Sequence, residues 1–79
     1  MSVKDKIYHI ISHQLGVLPE TLNNDLMILS DLNADPLDLV DLIAALEEEF
    51  DIEIKSEEVK GLESIGNVVN LVSEKVNEI

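Results

Sequence analysis

The sequence has no cysteine and no tryptophan, and only one phenylalanine, one tyrosine, three glycines and two prolines. Without cysteine there is no disulfide framework and no thiolate metal site, and nothing points to an oxidising compartment. With so few aromatics, a core has to be assembled from Leu, Ile and Val. Basic residues are scarce as well: 5 Lys and Arg stand against 17 Asp and Glu, a formal charge of −12. Such a field repels phosphate backbones, which argues against nucleic acid as a partner and favours basic protein surfaces. No apolar run reaches membrane-spanning length and no signal or transit segment is visible, so membrane insertion is not expected. A presequence removed from a precursor would leave no trace here.

What is present is enough apolar material to fold. Hydrophobic residues make up 46% of the 79 positions, more than a solvated acidic tail carries. The expectation is one small domain over 1–79, near the size where a single core barely suffices.

The chain is organised around the stretch from Asp35 to Phe50, DPLDLVDLIAALEEEF. Asp35 is a natural N-cap, Pro36 falls at the first helical position where a missing N–H is harmless, and Asp38 suits the helix dipole. At about 100° per residue, Leu39, Leu42, Ile43, Leu46 and Phe50 gather on one side. Leu37, Val40, Asp41, Ala44 and Glu48 gather on the other, with Glu47 at the edge. One apolar stripe is enough to reach a core, so the second reads as a place for a partner.

Elsewhere the pattern is also helical. Residues 2–15 form a first helix, with Ser2 as cap, Val3, Ile7, Ile10, Ile11 and Leu15 inward, and Gly16 as stop. His9 and His13 lie four apart, as a metal pair would. With no third ligand at suitable spacing, they read as two solvated histidines. From Val17 to Ala34 turn formers alternate with Leu18, Leu22, Leu26, Met27, Ile28, Leu29 and Leu32. So many apolar residues predict a long loop pinned across the helices, with one short helical turn. Asp51 to Lys55 reads as an extended connector, Ser56 as the cap of a short helix through about Lys60, and Gly61 as its end. Val59 and Leu62 are expected to point inward. Ser64 caps a last helix with Ile65, Val68, Val69, Val72, Val76 and Ile79 inward, weakened by Gly66 and by its β-branched residues. The architecture predicted is all-α: a four-helix bundle of three longer helices and one short one, with a long loop between the first two.

Asp31-Leu32-Asn33-Ala34-Asp35-Pro36-Leu37-Asp38, then Val40-Asp41-Leu42 and Ala45-Leu46-Glu47-Glu48-Glu49-Phe50-Asp51, resembles the acyl carrier proteins of fatty-acid synthesis. Gln14-Leu15-Gly16-Val17 and Ile52-Glu53-Ile54 extend the likeness to essentially the whole chain. Members of that family read Asp-Leu-Gly-Ala-Asp-Ser-Leu-Asp at the helix head, and the serine receives a phosphopantetheine arm that carries acyl intermediates as thioesters. Here that position is Pro36. Proline has no hydroxyl, so the phosphodiester cannot form, and phosphopantetheine is expected to be absent. Ser30, Ser56 and Ser64 lie elsewhere and do not obviously substitute.

The resemblance also implies partners. Nine carboxylates (Asp31, Asp35, Asp38, Asp41, Glu47, Glu48, Glu49, Asp51 and Glu53) face one base, Lys55, between Asp31 and Ser56. A solvated acidic face that aids solubility accounts for Glu49 and Glu53. For Asp35, Leu37, Asp38, Val40, Asp41, Ala44, Glu47 and Glu48 the resemblance implies docking on the Lys/Arg patches of fatty-acid synthesis enzymes by a monomer. It also implies a cytoplasmic setting of bacterial type, or an organelle matrix after loss of a presequence. Three classes stay open: a carrier-family protein whose attachment serine has been replaced, a non-carrier adaptor or regulator of basic enzyme surfaces, and a divalent-cation binder. The last lacks any EF-hand loop. An enzyme is not expected, since the two histidines share one helix and no phosphate-binding glycine loop is present.

Overall fold

The structure, a computed structural model, describes residues 2–77. Its first helix, α1 (Val3–Leu15), starts where Ser2 accepts a hydrogen bond from the Asp5 N–H at 3.1 Å. It ends at Gly16, whose φ of 68° is the left-handed conformation a C-cap requires. Ile7 and Ile11 are fully buried, Val3, Ile10 and Leu15 pack partly against the same core, and His9 and His13 stay in solvent.

The connection to α2 (Pro36–Phe50) is long but fastened. It contains one 3-10 turn, Pro19–Thr21, as the apolar content of the loop implied. Leu22, Ile28 and Ala34 enter the core. Backbone bonds then tie it to the segment that opens the last helix. The Ile28 N–H donates to the Glu63 carbonyl, the Ile65 N–H to Leu26 and the Gly66 N–H to Asn24, all at 2.9–3.0 Å. Met27 and Ser64 form an isolated antiparallel bridge. The Tyr8 hydroxyl holds Asn24 from α1 at 2.6 Å. These bonds satisfy backbone groups that an irregular segment would otherwise leave unpaired on burial.

α2 lies on α1 and α4, burying Leu42, Ile43 and Leu46, with Leu39 and Phe50 half-buried at the ends of the stripe. Asp51, at φ 53°, closes it in the left-handed conformation. The connector after it is extended, with Ile54 buried and Ile52 half-buried between exposed neighbours. α3 is a single turn, Ser56–Val59. The expected cap is displaced by one residue: Lys55, with extended backbone, holds the cap position, and Ser56 is the first helical residue. Among the described residues no side chain caps the free amides of the turn; instead the Glu58 carboxylate reaches back to accept the Lys55 N–H at 2.9 Å, the other half of a capping box. The turn stops at Val59 rather than Lys60; Leu62 is buried and Val59 half-buried.

α4 (Ile65–Val76) is capped by Ser64, which accepts the Asn67 N–H at 3.2 Å while Asn67 accepts the Ser64 N–H at 2.9 Å. Ile65, Val68 and Val72 are fully buried, Val69 and Val76 partly so, and Ile79 lies outside the described residues. Eight side chains, Ile7, Ile11, Ile28, Leu42, Leu46, Ile65, Val68 and Val72, are completely enclosed. At about 1.5–3 kcal/mol each, they hold a bundle that has no aromatic centre. The architecture is the predicted one: four helices, three longer and one short, with the long loop after the first.

Candidate functional site

The head of α2 is fixed by reciprocal hydrogen bonds. Asp35 Oδ1 accepts the Asp38 N–H at 2.8 Å, and Asp38 Oδ2 accepts the Asp35 N–H at 3.2 Å. Two short carboxylates thus make a capping box usually built with Glu or Gln at the third helical position. Pro36 sits between them at the first helical position, exposed, with a preset φ and no donor to satisfy. No hydroxyl stands at that position. The hydroxyls of Ser2 and Ser64 cap α1 and α4, and Ser30 is exposed in the loop. Asp35, Pro36, Leu37 and Asp38, which make the helix head, carry no hydroxyl among them.

From Pro36 the second stripe runs down the open side of α2. Leu37 is 74% and Val40 61% exposed, unusual for large aliphatics, and Asp41, Ala44 and Glu48 are exposed below them. Asp41 and Glu48 make no side-chain hydrogen bond among the described residues, which leaves both carboxylates to solvent. Glu47 differs. It is half-buried, and its Oε2 accepts the Ile54 N–H at 2.9 Å, tying α2 to the connector. Asp31 is likewise engaged, accepting the Met27 N–H at 2.8 Å. Of the acidic run, then, Asp31, Asp35, Asp38 and Glu47 each hold a backbone amide, while Asp41 and Glu48 project as unengaged charge beside Leu37 and Val40.

The stripe borders a groove that sequence reasoning did not anticipate. Val40, Ile43, Ala44 and Glu47 form its α2 wall, Ser56 and Val59 its α3 wall, and it encloses about 320 Å³. On the far side of Val59 a second crevice of about 430 Å³ lies between α3, Leu39 and the exposed loop residues Met27 and Leu29. Neither could be read from helical periodicity, because each is made where elements distant in sequence meet. The ion pair between Glu58 and Lys75 at 3.0 Å fastens α3 to α4. The Lys55 N–H bond, then the Lys75 ammonium, hold the Glu58 carboxyl below the usual glutamate range.

His9 and His13 are exposed on α1, and among the described residues no three His, Asp or Glu side chains gather as metal ligands. No helix among those residues is long and apolar enough to cross a membrane.

Comparison with known proteins gives one family. Residues 5–72 match the family described as "Phosphopantetheine attachment site". The acyl carrier protein of Chlamydia trachomatis is 43% identical over 77 residues, covering 98% of this chain and all of the relative. That of Buchnera aphidicola is 41% identical over 75 residues, covering 95% of this chain and 96% of the relative. A solved Mycobacterium tuberculosis structure, described among acyl carrier proteins, superposes with a TM-score of 0.85 at 28% identity, covering 91% of this chain and 96% of its own.

Proposed function

The chain belongs to the acyl carrier protein family, and on that premise we propose that it serves fatty-acid biosynthesis as a docking member that bears no arm. Members of this family are carriers, not enzymes, and phosphopantetheine is their cofactor. In this reading Pro36 stands where they present the attachment serine. Its ring nitrogen and carbons offer no nucleophile to coenzyme A, so the phosphodiester does not form and no thioester is carried. The substitution leaves the helix start intact, since a proline at that position agrees with the Asp35–Asp38 capping box around it.

The observation that carries the proposal is the combination of a well-capped helix head with an unengaged stripe, Leu37, Val40, Asp41, Ala44 and Glu48. Two large aliphatics left in water beside free carboxylates favour a surface that is covered part of the time. Its complement is a Lys/Arg patch with apolar residues among the charges, as on a basic synthase or reductase surface. Asp35, Asp38 and Glu47 each keep a second carboxylate oxygen for such a patch, although their principal work is structural. Charges at the rim raise the association rate and select partners more than they deepen affinity. The complex is then small and short-lived, formed by a cytoplasmic monomer.

The test is association with a β-ketoacyl synthase. Reversing Asp41 and Glu48 together to Lys should change stability by less than about 1 kcal/mol but slow association by about tenfold or more at low ionic strength. The loss should shrink as salt rises. Val40→Asp should weaken binding with a smaller salt dependence, because it removes apolar contact. Unchanged kinetics in the double reversal, with unfolding by Val40→Asp, would mean that the faces of α2 are exchanged.

A further inference from the structure

α3 is one turn of helix with open space on both sides of Val59: the groove against α2 and the crevice toward Met27 and Leu29. It is suspended between two anchors. Upstream, buried Ile54 is clamped to α2 through Glu47; downstream, Leu62 is inserted into the core. Between them, the one side-chain tie from the turn to another helix is Glu58 with Lys75, the only ion pair among the described residues. The same oxygen, Oε1, takes both the Lys75 ammonium at 3.0 Å and the Lys55 N–H at 2.9 Å. A single carboxylate therefore both shapes the turn and fixes it to α4.

We propose that the Glu58–Lys75 pair is a latch that positions the α3 wall of the α2/α3 groove, and thereby sets how well this chain docks on a basic synthase surface. Neither residue lines that groove. Both act through Ser56 and Val59, which makes them positioning residues. The proposal rests on the docking reading given above. Its physical content is preorganisation: a wall held in place before encounter spares the ordering that binding would otherwise require. With the latch opened, Val59 keeps only its partial packing on the core and the bonds of its own turn, and the crevices on either side leave it room to shift.

A charge argument makes the latch separable from simple electrostatics. Lys75→Met removes a positive charge and Glu58→Gln a negative one, so long-range attraction to a basic partner should strengthen in the first and weaken in the second. The latch predicts the same sign for both. Each variant should lose about threefold to tenfold in affinity for a β-ketoacyl synthase, with thermal melts close to those of the parent. The exchange Glu58→Lys with Lys75→Glu, which keeps the net charge, should recover part of the binding.

Amide hydrogen exchange reads the latch without any partner. Protection of the Val59 and Leu62 amides, which bond to Lys55 and Val59 carbonyls, should fall about tenfold in both single variants and recover in part in the exchange, which restores the ion pair but not the acceptor for the Lys55 N–H. Unchanged exchange in both variants overturns the latch whether or not docking occurs. Changed exchange with affinities moving in opposite directions leaves the latch without a role in docking and overturns the proposal. Absence of synthase binding by the parent chain, with exchange altered as expected, refutes the docking reading and with it the use assigned to the latch.

Discussion

Gly66 lies in the first turn of α4, where glycine is a poor helix former, and Gly66→Ala ought to stabilise by about 0.4–1 kcal/mol if only propensity and unfolded-chain entropy counted. The structure reverses that expectation. A Cβ at Gly66 would stand 3.1 Å from the Asn24 carbonyl oxygen and 3.3 Å from the Asn24 Cβ. Asn24 has little room to retreat, because its carbonyl accepts the Gly66 N–H at 2.9 Å and its side chain accepts the Tyr8 hydroxyl at 2.6 Å. Overpacking against a held neighbour costs about 1–3 kcal/mol. The balance is a net loss of about 0.5–2 kcal/mol, which for a domain this size lowers Tm by about 3–12 °C. Gly61→Ala is the control: its Cβ would meet the Glu58 carbonyl at an ordinary 3.6 Å, so it should be neutral or stabilising. Circular-dichroism melts and urea titrations of both variants decide the matter. A rise in Tm for Gly66→Ala would refute the claim that the long loop is clamped against α4 at this point.

Two further expectations come from the same packing. Leu46→Ala, at a fully buried position, should destabilise by about 2–5 kcal/mol, whereas Leu37→Ala, on the exposed stripe, should change the urea midpoint very little. Glu58 titrates below its usual range, so its contribution is complete above the unfolded glutamate pKa and is lost as pH falls through the lower folded value. Because the Lys55 N–H is the largest cause, carboxyl NMR titration of Lys75→Met should recover only part of the depression; full recovery would mean that the ammonium, not the backbone bond, controls this carboxylate.

Much of the fold was legible because its signals are local. Ser2, Gly16, Asp35, Pro36 and Ser64 all do at helix ends what their chemistry suggests, and the stripes of α1, α2 and α4 follow from spacing alone. The exposed face of α2 was legible for the same reason: Leu37, Val40, Asp41, Ala44 and Glu48 lie opposite Leu42 and Leu46. What could not be read depends on pairs distant in sequence. The bonds from Asn24, Leu26 and Ile28 to residues 63–66 are made by backbone groups and leave no mark on residue type. Glu47 looked like one more acid at the rim until its bond to the Ile54 N–H appeared, and Gly66 looked like a weakness until the loop beside it was seen. The Glu58–Lys75 pair joins residues 17 positions apart on different helices, beyond any periodic pattern.

The central claim is that a carrier-family fold keeps its docking face while Pro36 denies it the arm. Intact mass after co-expression with a phosphopantetheinyl transferase and ample coenzyme A tests this most directly. The parent chain should gain nothing, and Pro36→Ser should gain the mass of one phosphopantetheine. A gain of that mass by the parent chain, on Ser30 or on any other side chain, would contradict the account.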